Sequence, residues 1–489
     1  MDTVAIPRAA KKLAKAVLLL PQRFQNPPKA LLVGGFVRDS ILKLQPKDID
    51  MEVYGVSYEM LNNALEKLFP NQIIEVGKSF GVFKIRQQNF EIDIALPRTE
   101  SKTGTGHKAF ATKSNPDITV TEALSRRDFT INTIALDPLT KEYIDPYNGQ
   151  KDIADRILRV VNPQKFIEDP LRVYRALQLV GRFNLTVEPG TLELLKRMVS
   201  SGELGTLSKE RITEEWRKLL LKSKRPSLGF TLAMDLGIIE KYFPELYILK
   251  STPQEPEWHP EGNVWNHSLL SLDVAAAKLV HKNNYQLTET EQLAALLGAL
   301  LHDIGKANTT KKQEGRIRSR GHEETGKKLS KIFLSKHTFG RNIDQAVSHV
   351  AAEHMKPRQL FSSLQNKEMT TSQYTNALRR LLKRIYPTSW KVIILASEAD
   401  LKGRGKNDLH NPFPAGEQFA KIIMEQKLEQ SVRQTLITGQ DILDTAKKLN
   451  IPITPGPKFK AIIQKIEHKR DENAITTRKE ALKLLQKLL

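Results

Sequence analysis

The sequence predicts an α+β chain: a head of strands and helices built on a mixed sheet, followed by an all-α neck and further helical domains. Three observations predict it. The stretch Leu31–Tyr54, LLVGGFVRDSILKLQPKDIDMEVY, reads as strand, glycine turn, helix and strand in succession. From Thr191 to Phe243 the apolar spacing is helical, with Leu192, Leu194, Leu195 and Trp216, Leu219, Leu220 as packing stripes. Past a Pro-, Glu- and Ser-rich boundary at Ser251–Gly262, the remaining motifs again sit in apolar helical contexts.

Taken in order, residues 1–28 carry Lys11, Lys12 and Lys15 beside Leu13, Ala14 and Leu18, a basic amphipathic helix ending at Pro21. It faces either the head or an outside partner. Leu31–Val33 is a short apolar run that suits a buried strand. At Gly34 and Gly35 the missing Cβ lets the backbone turn sharply and approach a ligand. Val37, Ile41 and Leu44 then recur at helical spacing around Arg38 and Asp39, until Pro46 stops the helix.

Asp48 and Asp50 lie two apart on the next strand, so both carboxylates share a face while Ile49 turns inward. Two hard oxygen ligands suit Mg²⁺, which keeps positions open for water and phosphate. The glycine turn and Arg38 suit a triphosphate, through backbone N–H groups and a charged fork. An ordinary strand-to-helix turn would explain the glycines alone, and a solvated face the aspartates alone. The ordered set GG-x-VRD then DID is far more specific.

Tyr58–Leu68 reads as a helix, and Ile73–Val76, Val82–Ile85 and Phe90–Ala95 as strands. Asp93 on the last of these offers a third carboxylate, with Glu91 on the same face as its competitor. Pro97–Lys113, rich in Gly, Thr and Lys, reads as a surface loop. RRDFTINTIALDP, from Arg126, is expected to be a helix burying Phe129, Ile131, Ile134 and Leu136. Asp145, Pro146, Gly149 and Asp152 mark a turn into another helix. Asp169 before Pro170 reads as an N-cap with proline first in the helix, and Asp169, Arg172 and Arg175 recur along one side of it.

Composition narrows the function. A net charge of +21 over 489 residues implies a polyanionic partner, and nucleic acid is the usual one. The basic residues are scattered rather than gathered in a membrane-docking tail, and no apolar run approaches the roughly 20 residues of a membrane span. LAKAVLLL is short, sits among lysines and lacks a small-residue cleavage site, which argues against a signal peptide. The absence of cysteine excludes disulfides and thiolate metal sites and fits a cytoplasmic location.

GGFVRD with KDID resembles the head of the class II nucleotidyltransferases, the tRNA CCA-adding enzymes and bacterial poly(A) polymerases, within the polymerase-β-like superfamily. RRDFTIN is similar to that family's RRD-x-T-x-N motif and EDPLRVYRA to its EDxxR motif. The resemblance implies a head at 29–160, a neck at 161–250, and tRNA, CTP and ATP as partners. It implies that Asp48 and Asp50 hold two Mg²⁺ ions, with an acid such as Asp93 on the neighbouring strand. Gly34, Gly35, Arg38 and Arg127 would hold the nucleotide, with Asp128 and Asn132 binding the sugar or holding the site together. Asp169 and Arg172 would read the base, Arg175 contributing, and the Pro97–Lys113 loop would position the substrate end.

The base reading has a chemical basis. An ionised Asp only accepts hydrogen bonds and an Arg only donates. Cytosine and adenine both set an amino donor beside a ring acceptor, whereas uracil and guanine reverse the order. A mismatch leaves a buried group unpaired at a cost of about 1–3 kcal/mol. One Asp–Arg pair therefore accepts C and A and refuses U and G without a template.

In the later helices stand His267 (NVWNHSLL), His302-Asp303 (LLHDIGK) and Asp400 (ASEAD). Imidazole with carboxylate suits Mg²⁺, Mn²⁺, Ni²⁺ or Fe²⁺. The set H…HD…D resembles the HD phosphohydrolase superfamily, an all-helical fold, which implies these four as metal ligands. His322, His349 and His354 are candidates for a second metal. In CCA-adding enzymes with such a domain, here 251–410, the resemblance implies hydrolysis of 2′,3′-cyclic or 2′-phosphate RNA ends. The basic helical tail, 411–489, includes Ile451–Pro457, similar to a loop in the tails of these enzymes, and is expected to touch RNA. The rival readings are a CC- or A-only adder, a poly(A) polymerase, and an HD phosphohydrolase whose head only grips RNA. Oligomeric state is open.

Overall fold

The computed structural model describes residues 6–46, 48–75, 82–87, 90–102, 110–281, 286–405, 411–433, 436–471, 474–475 and 477–489. The chain forms two compact units, Met1–Tyr242 and Phe243–Leu489.

The first unit is organised by a mixed seven-stranded sheet. Its strands are β1 (Lys29–Val33), β2 (Asp48–Tyr54), β3 (Ile73–Glu75), β4 (Val82–Gln87), β5 (Phe90–Ala95), β8 (Ala135–Leu136) and β9 (Tyr143–Ile144). They stand in the order β3-β4-β5-β2-β1-β8-β9. β2 is central, antiparallel to β1 and parallel to β5, with Asp50 level with Asp93 and Asp48 level with Glu91. Ile49, Met51 and Val53 are buried, so the acids at 48, 50 and 52 share the opposite face. Gly34 ends β1 at φ 69°, and the helix Gly35–Ile41 starts at once.

The expected helix Tyr58–Leu68 is present, capped by Ser57, whose hydroxyl accepts from the Met60 amide. The N-terminal helix runs Arg8–Leu18, buries Ala9, Ala10, Leu13, Ala14 and Val17, and packs on β1 and the Tyr58–Leu68 helix. Its apolar face thus belongs to the head, and Lys12 Nζ donates to the Leu68 carbonyl. Val76 lies outside the described residues, as does Lys47 of KDID.

Two expectations need correction. Arg126–Pro138 is not a helix: Thr130–Asn132 is one 3₁₀ turn, and Ala135–Leu136 joins the sheet opposite Val33 and Leu32. The β-branched run Thr130, Ile131, Thr133, Ile134 disfavours helix, and the Thr130 amide donates instead to the Arg159 carbonyl. Phe129, Ile131, Ile134 and Leu136 are nonetheless buried. In Pro97–Lys113, β6 (Arg98–Lys102) pairs with β7 (Phe110–Ser114), and 103–109 lie outside the described residues. The alternating Thr and Ser of this stretch suit a strand as readily as a loop.

The neck helices follow: Leu171–Phe183, Pro189–Ser200, Lys209–Lys222 and Ser227–Asp235. Trp216 stacks on Phe230 and meets Tyr174 edge-on, anchoring three of them to one another. A two-residue parallel ladder, Ile157–Leu158 with Thr186–Val187, adds a little strand to this helical part. The second unit is helical around Val264–His281, Glu289–Leu301, Arg341–Glu353 and Trp390–Lys402, with one small hairpin, Lys311–Gln313 and Arg316–Arg318. Its last helices, Gly439–Lys448, Pro457–Asp471 and Arg478–Leu488, close over Ile442, Ile466 and Leu485. No described helix is long and apolar enough to cross a membrane.

Candidate active sites in the two units

In the first unit a cavity of about 830 Å³ gathers the head motifs and the neck helix. Gly34, Gly35, Arg38, Asp48, Asp50, Arg127, Asp128 and Asn132 line it from the head. Asp169, Arg172 and Arg175 line it from the neck. All the proposed nucleotide-binding residues therefore face one space.

On the sheet, Asp48 is exposed and Asp50 is half-buried. Burial raises the Asp50 pKa, and the carboxylates of Asp93, Glu52 and Asp48 raise it further, against the lowering effect of Arg127. A concentration of negative charge of this kind favours a divalent cation. Asp93 and Glu91 do not line the cavity. Lys84 lies 3.0 Å from Glu91 and 3.1 Å from Asp93, and Arg86 adds a 2.7 Å contact to Glu91. Of the two, Asp93 is the one level with Asp50.

Arg127 is held by Glu52, 2.7 Å away, and Glu52 also accepts from the Tyr54 hydroxyl at 2.6 Å. Arg127 lies so close over the glycine turn that a Cβ on Gly34 would sit 2.6 Å from its Nη1. Glu52 was not singled out from sequence, although DIDMEVY places it two residues past Asp50 on the same face.

Behind these groups runs a chain of charged hydrogen bonds, buried at its centre and half-buried at its two ends. Arg182 donates to Asp39 at 2.7 Å, and Arg38 donates to the other Asp39 oxygen at 2.6 and 2.8 Å. Arg38 also donates to Asn132 Oδ1 at 2.6 Å, and Asn132 donates to Asp128 at 2.8 Å. Arg175 closes the chain on Asp128 at 2.6 Å. Burial would raise Asp128, but Arg175, Asn132 and the Phe129 amide hold it at about 2. Arg38, Asp128 and Asn132 thus join the glycine-turn helix to the neck helix, and the Arg38 fork is already engaged within the protein.

The neck helix begins at Leu171, with Pro170 at the cap and Asp169 accepting from the Leu171 amide at 3.1 Å. Asp169 pairs with Arg211, 3.3 Å away, from the Lys209–Lys222 helix. Arg172 donates to the carbonyls of Lys165 and Arg126 at 2.8 and 3.0 Å. Arg211, Lys218 and Lys222 line the cavity too, recurring along one face of their helix. From sequence, Lys218 and Lys222 belong only to the scattered basic charge that implies a polyanionic partner, and Arg211 is not singled out.

In the second unit His267, His302, Asp303 and Asp400 converge although they lie far apart in sequence. His267 Nε2 is 3.2 Å from His302 Nε2, 3.2 Å from Asp400 and 3.7 Å from Asp303. His322 and His354 join them around Asp303, at 3.3 and 3.8 Å. His349 does not: its Nδ1 meets the Thr388 hydroxyl at 2.8 Å, because it lies on a different side of its helix from His354.

The donor set fits a cation. His302, His322 and His354 each direct Nδ1 at a main-chain carbonyl, of Ala299, Ser319 and Val350 respectively. A carbonyl only accepts, so each Nδ1 carries a proton, which leaves Nε2 as the ring atom facing the cluster and the one a cation would take. His322 Nε2 is buried without a hydrogen-bond partner. Burial and nearby His302 push His354 down to about 3, keeping that ring neutral. Burial would raise Asp303 and Asp400, but Lys306 for the first and Arg358 for the second hold both well below the usual range. Lone pairs and carboxylate oxygens facing one another repel unless a positive charge lies between them. His259 and Glu261, 2.9 Å apart, stand behind His267, whose Nδ1 is 2.7 Å from Glu261.

Comparison with known proteins agrees with this geometry. Residues 30–159 match the poly A polymerase head domain, 184–249 the probable RNA and SrmB-binding site of polymerase A, and 264–382 the HD domain. A multifunctional CCA protein of Hahella chejuensis is 34% identical over 398 residues, covering 81% of this chain and 86% of its own. One of Stenotrophomonas maltophilia is 34% identical, covering 81% and 90%. The structure of a Bacillus stearothermophilus CCA-adding enzyme in complex with CTP superposes with a TM-score of 0.60 at 20% identity, over 99% of this chain and 98% of that one. At this identity and coverage the chain belongs to the tRNA nucleotidyltransferase family of CCA-adding enzymes, in the form that carries an HD domain.

Proposed function

We propose that the protein adds CCA to tRNA 3′ ends from CTP and ATP without a nucleic-acid template. The observation that carries this reading is that Asp169 and Arg172 line the same cavity as Asp48 and Asp50. Asp48 and Asp50 are the groups that would hold Mg²⁺, which supplies charge neutralisation at the triphosphate and activation of a ribose hydroxyl. Arg127, fixed by Glu52, faces the nucleotide phosphates over the glycine turn. Asp169 accepts from the amino group of C or A, and Arg172 donates to the adjoining ring nitrogen. The hydrogen-bonded chain from Arg182 to Arg175 sets the spacing between base reader and carboxylates.

The same reading gives the second unit a phosphohydrolase role on RNA 2′,3′-cyclic or 2′-phosphate ends. His267, His302, Asp303 and Asp400 would hold a divalent cation, with His322 and His354 on the far side of Asp303. What supports it is the inward set of imidazole nitrogens and carboxylates, which would hold the cation, and the cation would supply activation of the attacking water.

Incubation with tRNA lacking its terminal CCA and each labelled nucleotide in turn tests the first role. Incorporation of C, C and then A is expected; incorporation of U or G, or of nothing, overturns it. Products that stop after CC, or that need a CC end, identify a partial adder. Asp48→Ala is expected to abolish addition while phosphohydrolase activity persists.

A further inference from the structure

A second cavity, of about 490 Å³, opens beside His322 in the Phe243–Leu489 unit. Trp258, Arg316, Arg318 and Arg320 line it. Trp258 is 55% exposed, although a tryptophan ring is the largest apolar surface a side chain offers.

Its surroundings hold it in place. The Glu255 carbonyl accepts from the Trp258 amide at 3.1 Å, and the Glu255 carboxylate accepts from the Ile317 amide at 2.8 Å. The turn that carries Trp258 is therefore fastened to the hairpin that carries the arginines. Just past that hairpin, the Ser319 carbonyl accepts from His322 Nδ1 at 2.8 Å. One short segment thus bears Arg318 and Arg320 and orients a ring of the histidine–aspartate cluster.

The arginines are available. Arg318 meets Glu314 at 3.4 Å and Arg316 meets Glu257 at 3.5 Å, in exposed pairs that water and salt weaken. Arg320 is exposed and forms no ion pair among the described residues. Of the carboxylates in the lining, Glu255 is committed to the hairpin and Glu323 lies 3.5 Å from His322. A free aromatic face beside guanidinium groups is the arrangement that holds single-stranded nucleotides, the ring stacking on a base and the cations meeting phosphate.

We propose that this cavity is a nucleotide subsite: a base stacks on Trp258 while Arg318 and Arg320 hold its flanking phosphate, presenting a terminal phosphoester of RNA to the cluster around Asp303. The proposal rests on the phosphohydrolase reading and adds the residues that restrict the centre to nucleotides. The test compares full-length wild type with Trp258→Ala, Trp258→Tyr and Arg318→Ala/Arg320→Ala. The probes are a dinucleotide that carries a terminal 2′-phosphate beside its internal phosphodiester, and p-nitrophenyl phosphate, with dinucleotide binding measured separately by calorimetry.

Trp258→Ala and the arginine double variant are each expected to raise dinucleotide KM and Kd about tenfold, the scale of one lost stacking contact. Their kcat, and all constants for p-nitrophenyl phosphate, stay within about twofold, and Trp258→Tyr recovers most of the binding. Equal losses on both substrates, or a dinucleotide Kd indifferent to Trp258, overturn the subsite. If wild type binds the dinucleotide through Trp258 but hydrolyses neither probe, the subsite stands and the hydrolase reading falls.

Discussion

Asp169 is held by Arg211, 3.3 Å away, and not by Arg172, whose guanidinium donates to two main-chain carbonyls. Both members of the Asp169–Arg211 pair are about 30% exposed, so the pair contributes no more than about 1 kcal/mol. In the proposed base-reading role, exchanging Arg211 for the amino group of a base would therefore be inexpensive, and Arg211 would keep the acid oriented until then. Arg211→Ala is expected to leave the Tm almost unchanged and lower CTP and ATP incorporation about tenfold. Asp169→Ala removes the acceptor itself and is expected to erode preference over UTP and GTP by about 10- to 100-fold, matching the cost of one unpaired group. Primer extension with single nucleotides measures both, and unchanged selectivity in Asp169→Ala would remove this residue from base reading.

Gly34 is required for two separate reasons. Its φ of 69° is unfavourable with a side chain, and a Cβ would collide with Arg127 Nη1 at 2.6 Å. Gly34→Ala is expected to cost about 1–3 kcal/mol of stability and to cut nucleotide addition further by displacing Arg127. Thermal melting and extension kinetics read the two losses; a variant with wild-type Tm and rate would show that the turn tolerates a side chain.

The Asp128–Arg175 contact makes stability dependent on acid. Asp128 titrates at about 2 against an ordinary value of 3.8, a difference of about 2 kcal/mol. Because the folded value is the lower one, this contribution is complete above about pH 4 and disappears as the pH falls through about 2. Denaturant titrations of wild type and Asp128→Asn between pH 2 and 6 should converge toward the acid end. Parallel curves would mean that the acid is not ionised in the fold.

Metal removal should separate the two units. Chelation followed by metal analysis is expected to strip a divalent cation from wild type, and His302→Ala should weaken its retention about tenfold or more. The same variant is expected to keep CCA addition once Mg²⁺ is supplied. A His302→Ala protein with wild-type metal content would place the ion elsewhere.

Much of the site was legible because strand and turn chemistry are local. Alternation along DIDMEVY put Asp48 and Asp50 on one face, and Gly34 marked a turn that only glycine makes readily. The RRD segment was misjudged because its partners are distant: Thr130 bonds to Arg159, and Ala135 and Leu136 pair with Val33 and Leu32. Long-range pairing of this kind overrides a helical pattern of buried residues.

By itself the sequence determined the composition of both candidate centres: paired aspartates on a strand, an acid and arginines along the neck helix, and the dispersed histidines with their HD doublet. Only the tertiary structure decided who pairs with whom. Asp169 turns to Arg211 rather than Arg172, Arg38 joins the internal chain to Asp128, and His354 reaches the cluster while His349 bonds Thr388. The physical reason is that a residue's chemistry is intrinsic, whereas its hydrogen-bond partner is whichever group packing brings within about 3 Å.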